Sequence, residues 1–335
     1  MKILYYLQYF YIFVKNIKYL MKKIKNILSS NVIAIDIETV RIKKTFSELS
    51  EDFQSAWEYK NKQDGVVPDF ETLSSLWEKN ASLYPEFSKV VAVSLVYFSK
   101  GKLKCKEYAS IEEELILQEL SADLNSFQNV IKGVTLIGHS SFFYDYPFLC
   151  KRFIINSMDI PSILDESGSS PWEKKLLCTN ELWKSFGAFN SSGSSLQALC
   201  TCLGIEVSKV DLVGDQVGKA YYDGEISRIA AYCSLDTIAT YNVFRKFKKE
   251  PTFSFEDVEY VNQGQILVSD PLFSSIMEEG AISAANTKKL TVVSKDLSRD
   301  ERENLVLILK ACLKKKDDSF SKAELTLFDK LCPTK

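Results

Sequence analysis

The sequence predicts an α/β domain, a mixed β-sheet flanked by helices, with a small helical extension at its C-terminal end. Three observations lead there. The stretch Asn31-Val-Ile-Ala-Ile-Asp-Ile-Glu-Thr39 is apolar and β-branched, the composition of a strand buried on both faces. Two more β-rich runs, 89–98 and 103–108, are joined by a turn at Gly101 and read as an antiparallel hairpin. A helical pattern over 110–127 then leads into the short strand Thr135–Gly138, so that a helix crosses over between strands. The composition permits this: 335 residues, 46% hydrophobic and 26% charged, suit one sizeable domain with an appendage and exclude a disordered chain. The expected division is a leader over 1–30, the main domain over 31–250 and a helical extension over 251–335.

In the leader, Ile3 to Val14 is almost continuously apolar and is followed by Lys15, Lys18, Lys22, Lys23 and Lys25. The run is shorter than the about 20 residues a membrane-spanning helix needs, and no small-residue cleavage site follows it. Three readings stand: translation starting at Met21, an amphipathic helix packed on the domain or on a partner, or membrane contact. No stable membrane association is expected.

In the first strand, side chains alternate, so Asp36 and Glu38 point to the same side at its carboxyl end. Two carboxylates at the edge of an apolar core repel one another and are poorly solvated. A divalent cation relieves both problems, and oxygen ligands suit Mg2+ or Mn2+. The plainer alternative is a pair of solvated loop residues among the 44 acidic side chains of the chain. Residues 46–59 and 70–84 have spaced aromatics and mixed charge and predict two helices inserted after the strand, separated by the turn-forming Gln63–Pro68. The 110–127 helix opens on glutamates, which suit a helix N-terminus, and is expected to bury Leu115, Leu117, Leu120 and Leu124.

After the 135–138 strand comes Gly138-His-Ser-Ser-Phe-Phe-Tyr-Asp-Tyr-Pro-Phe-Leu149. Asp145 fits either a helix cap or a ligand. His139 fits either a satisfied structural side chain or a contact residue. Phe142, Phe143 and Tyr144 fit either core or a stacking face for an unpaired base. Further on, 225–244 has helical spacing that puts Tyr232 and Asp236 on one face. A buried aspartate there is costly unless it is paired or bound to metal.

Charge and cysteine usage narrow the classes. A net charge of −2 gives no global field toward nucleic acid or anionic membrane. A nucleic-acid enzyme stays compatible with it, because bound divalent ions add positive charge where a phosphate sits. Eight cysteines without Cys-x-x-Cys spacing, and a single histidine, argue against a zinc site and for a reducing, cytoplasmic setting.

Taken in order, Asp36-x-Glu38, Asp145 and Tyr232-x-x-x-Asp236 resemble the three motifs of the DEDD 3′-to-5′ exonucleases, tyrosine subclass, of the RNase H-like superfamily. The closer similarity is to predicted exonucleases related to the proofreading domain of family B DNA polymerases. It is carried by Gly138-His139, Tyr144 to Leu149, Pro171-Trp172, Glu181-Leu-Trp183, Ser195-Leu196, Leu203-Gly-Ile205, Gly214-x-Gln216-Val217 and Tyr232 to Asp236, and covers about 31–248. The histidine subclass is excluded, since Ala231 stands five residues before Asp236. The sequence departs from the pattern at Ser140, where asparagine is usual, and at Cys178, where aspartate is usual.

The resemblance implies two metal ions roughly 4 Å apart, with Asp36 bridging both, Glu38 and Asp236 completing the first, Asp145 holding the second, and Tyr232 orienting the attacking water. It implies that backbone groups of Thr39 and Val40 hold the terminal 3′-OH, and places His139, Ser140, Phe143 and Tyr144 near the substrate strand. Lys151 and Arg152 are either phosphate contacts or a solvated helix face.

The function so implied is metal-dependent 3′-to-5′ hydrolysis at single-stranded DNA 3′ ends, in replication, proofreading or repair. Fewer than a hundred residues follow Asp236, too few for polymerase domains, so the expectation is a separate chain, whose helical extension either pads the core or docks on a polymerase or another replication protein. Two other readings remain: an RNA 3′-end trimming exoribonuclease, and a non-catalytic nucleic-acid-binding or scaffold module. In the extension, Ser298-x-x-Glu301 and Ser321-x-x-Glu324 are capping-box signatures that predict helix starts.

Overall fold

The computed structural model describes residues 24–166, 176–185, 192–207 and 212–262, with 266, 267 and parts of 290–331. Most of the leader, Pro171-Trp172 and the Ser298 signature lie outside the described residues.

The predicted first strand is β1 (Val32–Arg41), and β2 (Ser88–Ser99) and β3 (Lys102–Ala109) form the hairpin. With β4 (Thr135–Gly138), β5 (Leu177–Cys178) and β6 (Glu259–Tyr260) they make one six-stranded sheet in the order β5-β4-β1-β2-β3-β6. β1 runs antiparallel to β2 and parallel to β4. The β4 pairing covers only Val32–Ala34, so beyond Ala34 that edge of β1 is free of β4. The crevice beyond the carboxyl ends of parallel strands is where open α/β sheets bind ligands.

Alternation along β1 decides which layer each side chain meets. Ile33, Ile35 and Ile37 enter a core shared with α3 (Glu113–Val130) and α4 (Asp145–Ile155). Ile116, not Leu115, joins Leu117, Leu120 and Leu124 as the buried stripe of α3. Val32 and Ala34 face α8 (Ile226–Phe247) on the other side, through Ile238, Tyr241 and Phe244. Three short helices precede α8: α5 (Thr179–Ser185), α6 (Leu196–Leu203) and α7 (Val217–Tyr222). Two pieces of the resemblance turn out to be the ends of α6. Ser195 Oγ caps it by accepting from the Ala198 N–H at 3.2 Å, and Gly204, at φ +63°, closes it.

The helices predicted after β1 are α1 (Glu51–Asn61) and α2 (Phe70–Asn80). They carry their own small core of Phe46, Trp57, Leu73, Trp77 and Phe87. Packing on the sheet and on α8 also takes in residues on either side of 31–250. Ile24 is buried against α8, and Tyr241 donates to the Ser29 carbonyl at 2.9 Å. β6 extends the sheet past residue 250, and the Leu267 N–H bonds the Ala109 carbonyl at 2.8 Å. In the extension, α9 (Lys322–Leu331) starts at the predicted box: Ser321 N–H donates to Glu324 Oε2 at 2.7 Å, and Glu324 N–H to Ser321 Oγ at 3.2 Å. Among the described residues no helix is long and apolar enough to cross a membrane.

Candidate active site

Asp36 and Glu38 lie on the α8 face of β1, between the buried Ala34 and Val40. Between Glu38 and Thr39 the pairing with β2 shifts register, with Val91 as the extra residue, so the sheet bends where the carboxylates end. Above them on α8 sit Tyr232, Cys233 and Asp236, and Cys233 Sγ donates to the Asp36 carbonyl at 3.4 Å. Asp145 arrives from the opposite layer. The chain leaves β4 at Gly138, turns through 139–144 and enters α4 at Asp145, past the end of β4. Gly138 is required by close approach, since an added Cβ would stand 1.8 Å from Ser141 Oγ.

Asp145 is the first residue of α4; Tyr144 holds the cap position and makes no side-chain cap bond. The alternative capping role for Asp145 is therefore absent, and its carboxyl, 3% exposed, points to the β1 carboxylates. Asp36, Glu38 and Asp236 keep some contact with solvent. Protein nevertheless crowds them enough that burial is the leading cause of every displacement. Burial, then the charges of Asp145, Glu38 and Asp236, hold Asp36 well above the usual carboxylate range. Burial, then Asp236 and Asp145, do the same to Glu38. Burial pushes Asp145 up to about 7 against weak relief from Ser141 and nearby backbone N–H groups; Ser141 Oγ has no well-formed hydrogen bond. Burial takes Asp236 to about 6, opposed by a hydrogen bond from Tyr232. The Tyr232 phenol is raised by burial and then by Asp236, Glu38 and Asp36, so at neutral pH it is a proton donor rather than a base.

None of these carboxylates forms an ion pair with lysine or arginine among the described residues. Nor, among them, do three or more His, Cys, Asp or Glu side chains close around a common metal position. Asp36 and Glu38 feel the charges of Asp145 and Asp236 at electrostatic range. An all-oxygen, mutually repelling set is the donor chemistry a hard divalent ion fits.

Residues 82–272, more than half of the chain, match the family described as a predicted 3′-5′ exonuclease related to the exonuclease domain of PolB. The chain belongs to this family. A search of curated proteins found no match. In this exonuclease-family domain the mixed sheet with helices on both faces is an RNase H-like α/β fold. Domains of this family generally use divalent metals.

The remaining predicted residues divide. Thr39 Oγ1 bonds the Tyr144 hydroxyl at 2.6 Å and the Ser82 carbonyl at 2.8 Å, a tie between β1, α4 and the insert that no local pattern announces. The Val40 side chain is fully buried, leaving only its backbone for a ligand. His139 is half-buried and clamped at both ring nitrogens: Nε2 donates to the Ser194 carbonyl at 3.0 Å and Nδ1 lies 2.9 Å from Thr179 Oγ1. Both nitrogens are engaged, which fits the reading of His139 as a satisfied structural side chain. Ser140 Oγ accepts from Asn180 Nδ2 at 2.8 Å. The three aromatics do not share a face. Phe142 packs into the core, Tyr144 is tied to Thr39, and Phe143 is 74% exposed. Arg152 is not a phosphate contact, because Glu113 holds it in a buried bidentate pair. Cys178 is buried in β5 opposite Gly138.

Proposed function

We propose that the chain is a DEDD exonuclease of the tyrosine subclass, hydrolysing single-stranded DNA from its 3′ end with two divalent cations, Mg2+ or Mn2+. Asp36, Glu38, Asp145 and Asp236 would hold the ions. One observation carries the proposal: four carboxylates from β1, α4 and α8 face one another without a basic partner among the described residues, at a cost in repulsion and desolvation that packing does not require. When bound, such cations supply an activated water, charge for the phosphate and relief for the leaving oxygen. The protein does the positioning. Tyr232 donates a hydrogen bond to Asp236 and is placed to orient water beside it. Tyr144 fixes Thr39, whose backbone, with that of Val40, would meet the terminal 3′-OH. DNA is favoured over RNA because the matching family is named for DNA polymerase B. Work in the cytoplasm, docked on a polymerase or other replication protein, belongs to the same proposal.

The test is incubation of purified protein with 3′- and 5′-labelled single-stranded DNA and RNA in Mg2+, Mn2+ or EDTA, beside Asp36→Ala. Stepwise shortening of DNA from the 3′ end, lost in EDTA and in the variant, is expected. Preference for RNA would make it an exoribonuclease. Binding without cleavage under every metal would make it a scaffold. The rate should rise from neutral to mildly alkaline pH, since Tyr232 cannot serve as base at neutrality; a flat profile with chemistry limiting counts against its role.

A further inference from the structure

We infer that the strand leaving the carboxylates runs in a groove between the α1–α2 insert and α4, with Lys60 and Lys151 as phosphate contacts and Phe143 as a stacking surface. The inference rests on the exonuclease proposal and adds the path of the substrate to it.

A cavity of about 210 Å3 lies between the two elements, lined by Lys60, Tyr84, Glu86, Phe143, Tyr144 and Lys151 among others. It is smaller than the roughly 300–1,000 Å3 of pockets that enclose a whole small molecule, and suits a segment of a longer chain. It is linked to the candidate active site through Tyr144, one of its lining residues. Tyr144 immediately precedes Asp145, and its hydroxyl bonds Thr39, the residue after Glu38, and the Ser82 carbonyl at the end of the insert. The two ammonium groups outnumber the single carboxylate of Glu86, and neither is in an ion pair among the described residues. Lys60 Nζ is steered by the Tyr84 ring, 3.7 Å from its centre, and Tyr84 packs edge-on against Trp57 in the insert core. Phe143 stands at the rim, 74% exposed, with Lys184 5.4 Å from its ring centre on another side. An exposed ring beside cations is the combination that holds single strands without reading sequence. The insert thereby acquires a role in substrate binding, since its aromatic core holds Lys60 opposite Lys151.

The test measures binding of a 5′-fluorescein oligodeoxythymidylate by anisotropy in EDTA over a salt series, and its hydrolysis in Mn2+, for the wild type, Lys60→Ala, Lys151→Ala, the double variant and Phe143→Ala. Both lysines are exposed, and circular dichroism confirms that the variants fold. The double variant should bind roughly tenfold more weakly, with the salt slope reduced by about 0.7 for each lysine. The loss in hydrolysis should appear in KM rather than kcat, and shrink as the substrate is shortened toward a dinucleotide. Phe143→Ala should weaken binding by roughly tenfold with an unchanged slope. Wild-type affinity and slope in the double variant overturn the groove while leaving hydrolysis, and so the exonuclease proposal, intact. Lysine-dependent binding without hydrolysis under any metal supports the groove and sinks the exonuclease proposal instead.

Discussion

Helix α4 carries two buried charges about two turns apart, and the protein treats them in opposite ways. Arg152, near its end, is 7% exposed and bonded at all three of its guanidinium nitrogens. Its Nε and Nη2 donate to Glu113 at 2.9 and 2.5 Å, and Nη1 donates to the Pro85 carbonyl at 2.7 Å. Glu113 also accepts from the Val90 N–H at 2.7 Å and from Asn156 at 2.9 Å. Asp145, at the other end, is as deeply buried and faces three more carboxylates. A closed network of charge holds a fold together, whereas an open one of a single sign stores repulsion that a bound cation or protonation relieves. The two ends of one helix thus separate a structural site from the candidate chemical one.

The largest effect should come from opening that contrast at Asp145. Asp145→Asn removes a charge but keeps the shape, so nuclease activity should fall on the order of 10^3-fold, while the metal-free protein melts at the same or a higher temperature above neutral pH. A loss of stability comparable to that of an Arg152 variant would erase the distinction.

At the other end, Arg152→Met leaves Glu113 buried without its cation and should cost about 3–5 kcal/mol in chemical denaturation. Adding Glu113→Gln removes the stranded charge and keeps an acceptor for Val90 N–H, so the double variant should recover much of the loss. Additive losses would mean that the pair is not coupled.

These two ends also show which features a sequence makes visible. The Asp36-x-Glu38 pair, the Tyr232-x-x-x-Asp236 face and the strand before Asp145 are legible because each is local: alternation in a strand, one turn of a helix, a strand followed by a helix. Arg152 reads from the sequence as a phosphate contact or a solvated residue, and is neither, because its partner stands thirty-nine residues upstream, a pairing that no local pattern carries. The same holds for His139, whose partners Thr179 and Ser194 come from distant segments. β5 and β6, two residues each, and the short α5, α6 and α7 leave almost no periodicity to read. They exist because the sheet edge and α8 offer them partners.

The contrast can be sharpened by pH. Asp145 and Asp236, at about 7 and about 6 in the fold against 3.8 as ordinary aspartates, bind more protons folded than unfolded between about pH 4 and 7. Stability from that difference is complete below the unfolded value and is lost as pH rises through the folded ones. The metal-free melting temperature should therefore drop by several degrees from pH 5 to 8. Mg2+ or Mn2+ should restore it at the alkaline end, and Asp145→Asn should flatten the slope. A melting temperature that rises over this range would mean that the carboxylates are not crowded as described.

The smallest effect tests the loop that aims Asp145. Ser140 sits at φ +62°, in the left-handed region that costs a residue with a Cβ about 1–2 kcal/mol and that asparagine tolerates better. Its carbonyl accepts from the Phe143 N–H at 3.1 Å and its Oγ from Asn180, so the strain is held from both sides. Ser140→Asn keeps an acceptor and eases the backbone, and should raise stability by roughly 0.5–1 kcal/mol in a denaturant titration. Ser140→Val, β-branched and without an acceptor, should lower it by more. If asparagine instead destabilises, the Asn180 bond outweighs the backbone strain, and the loop is set by its partner across the crevice rather than by its own conformational preference.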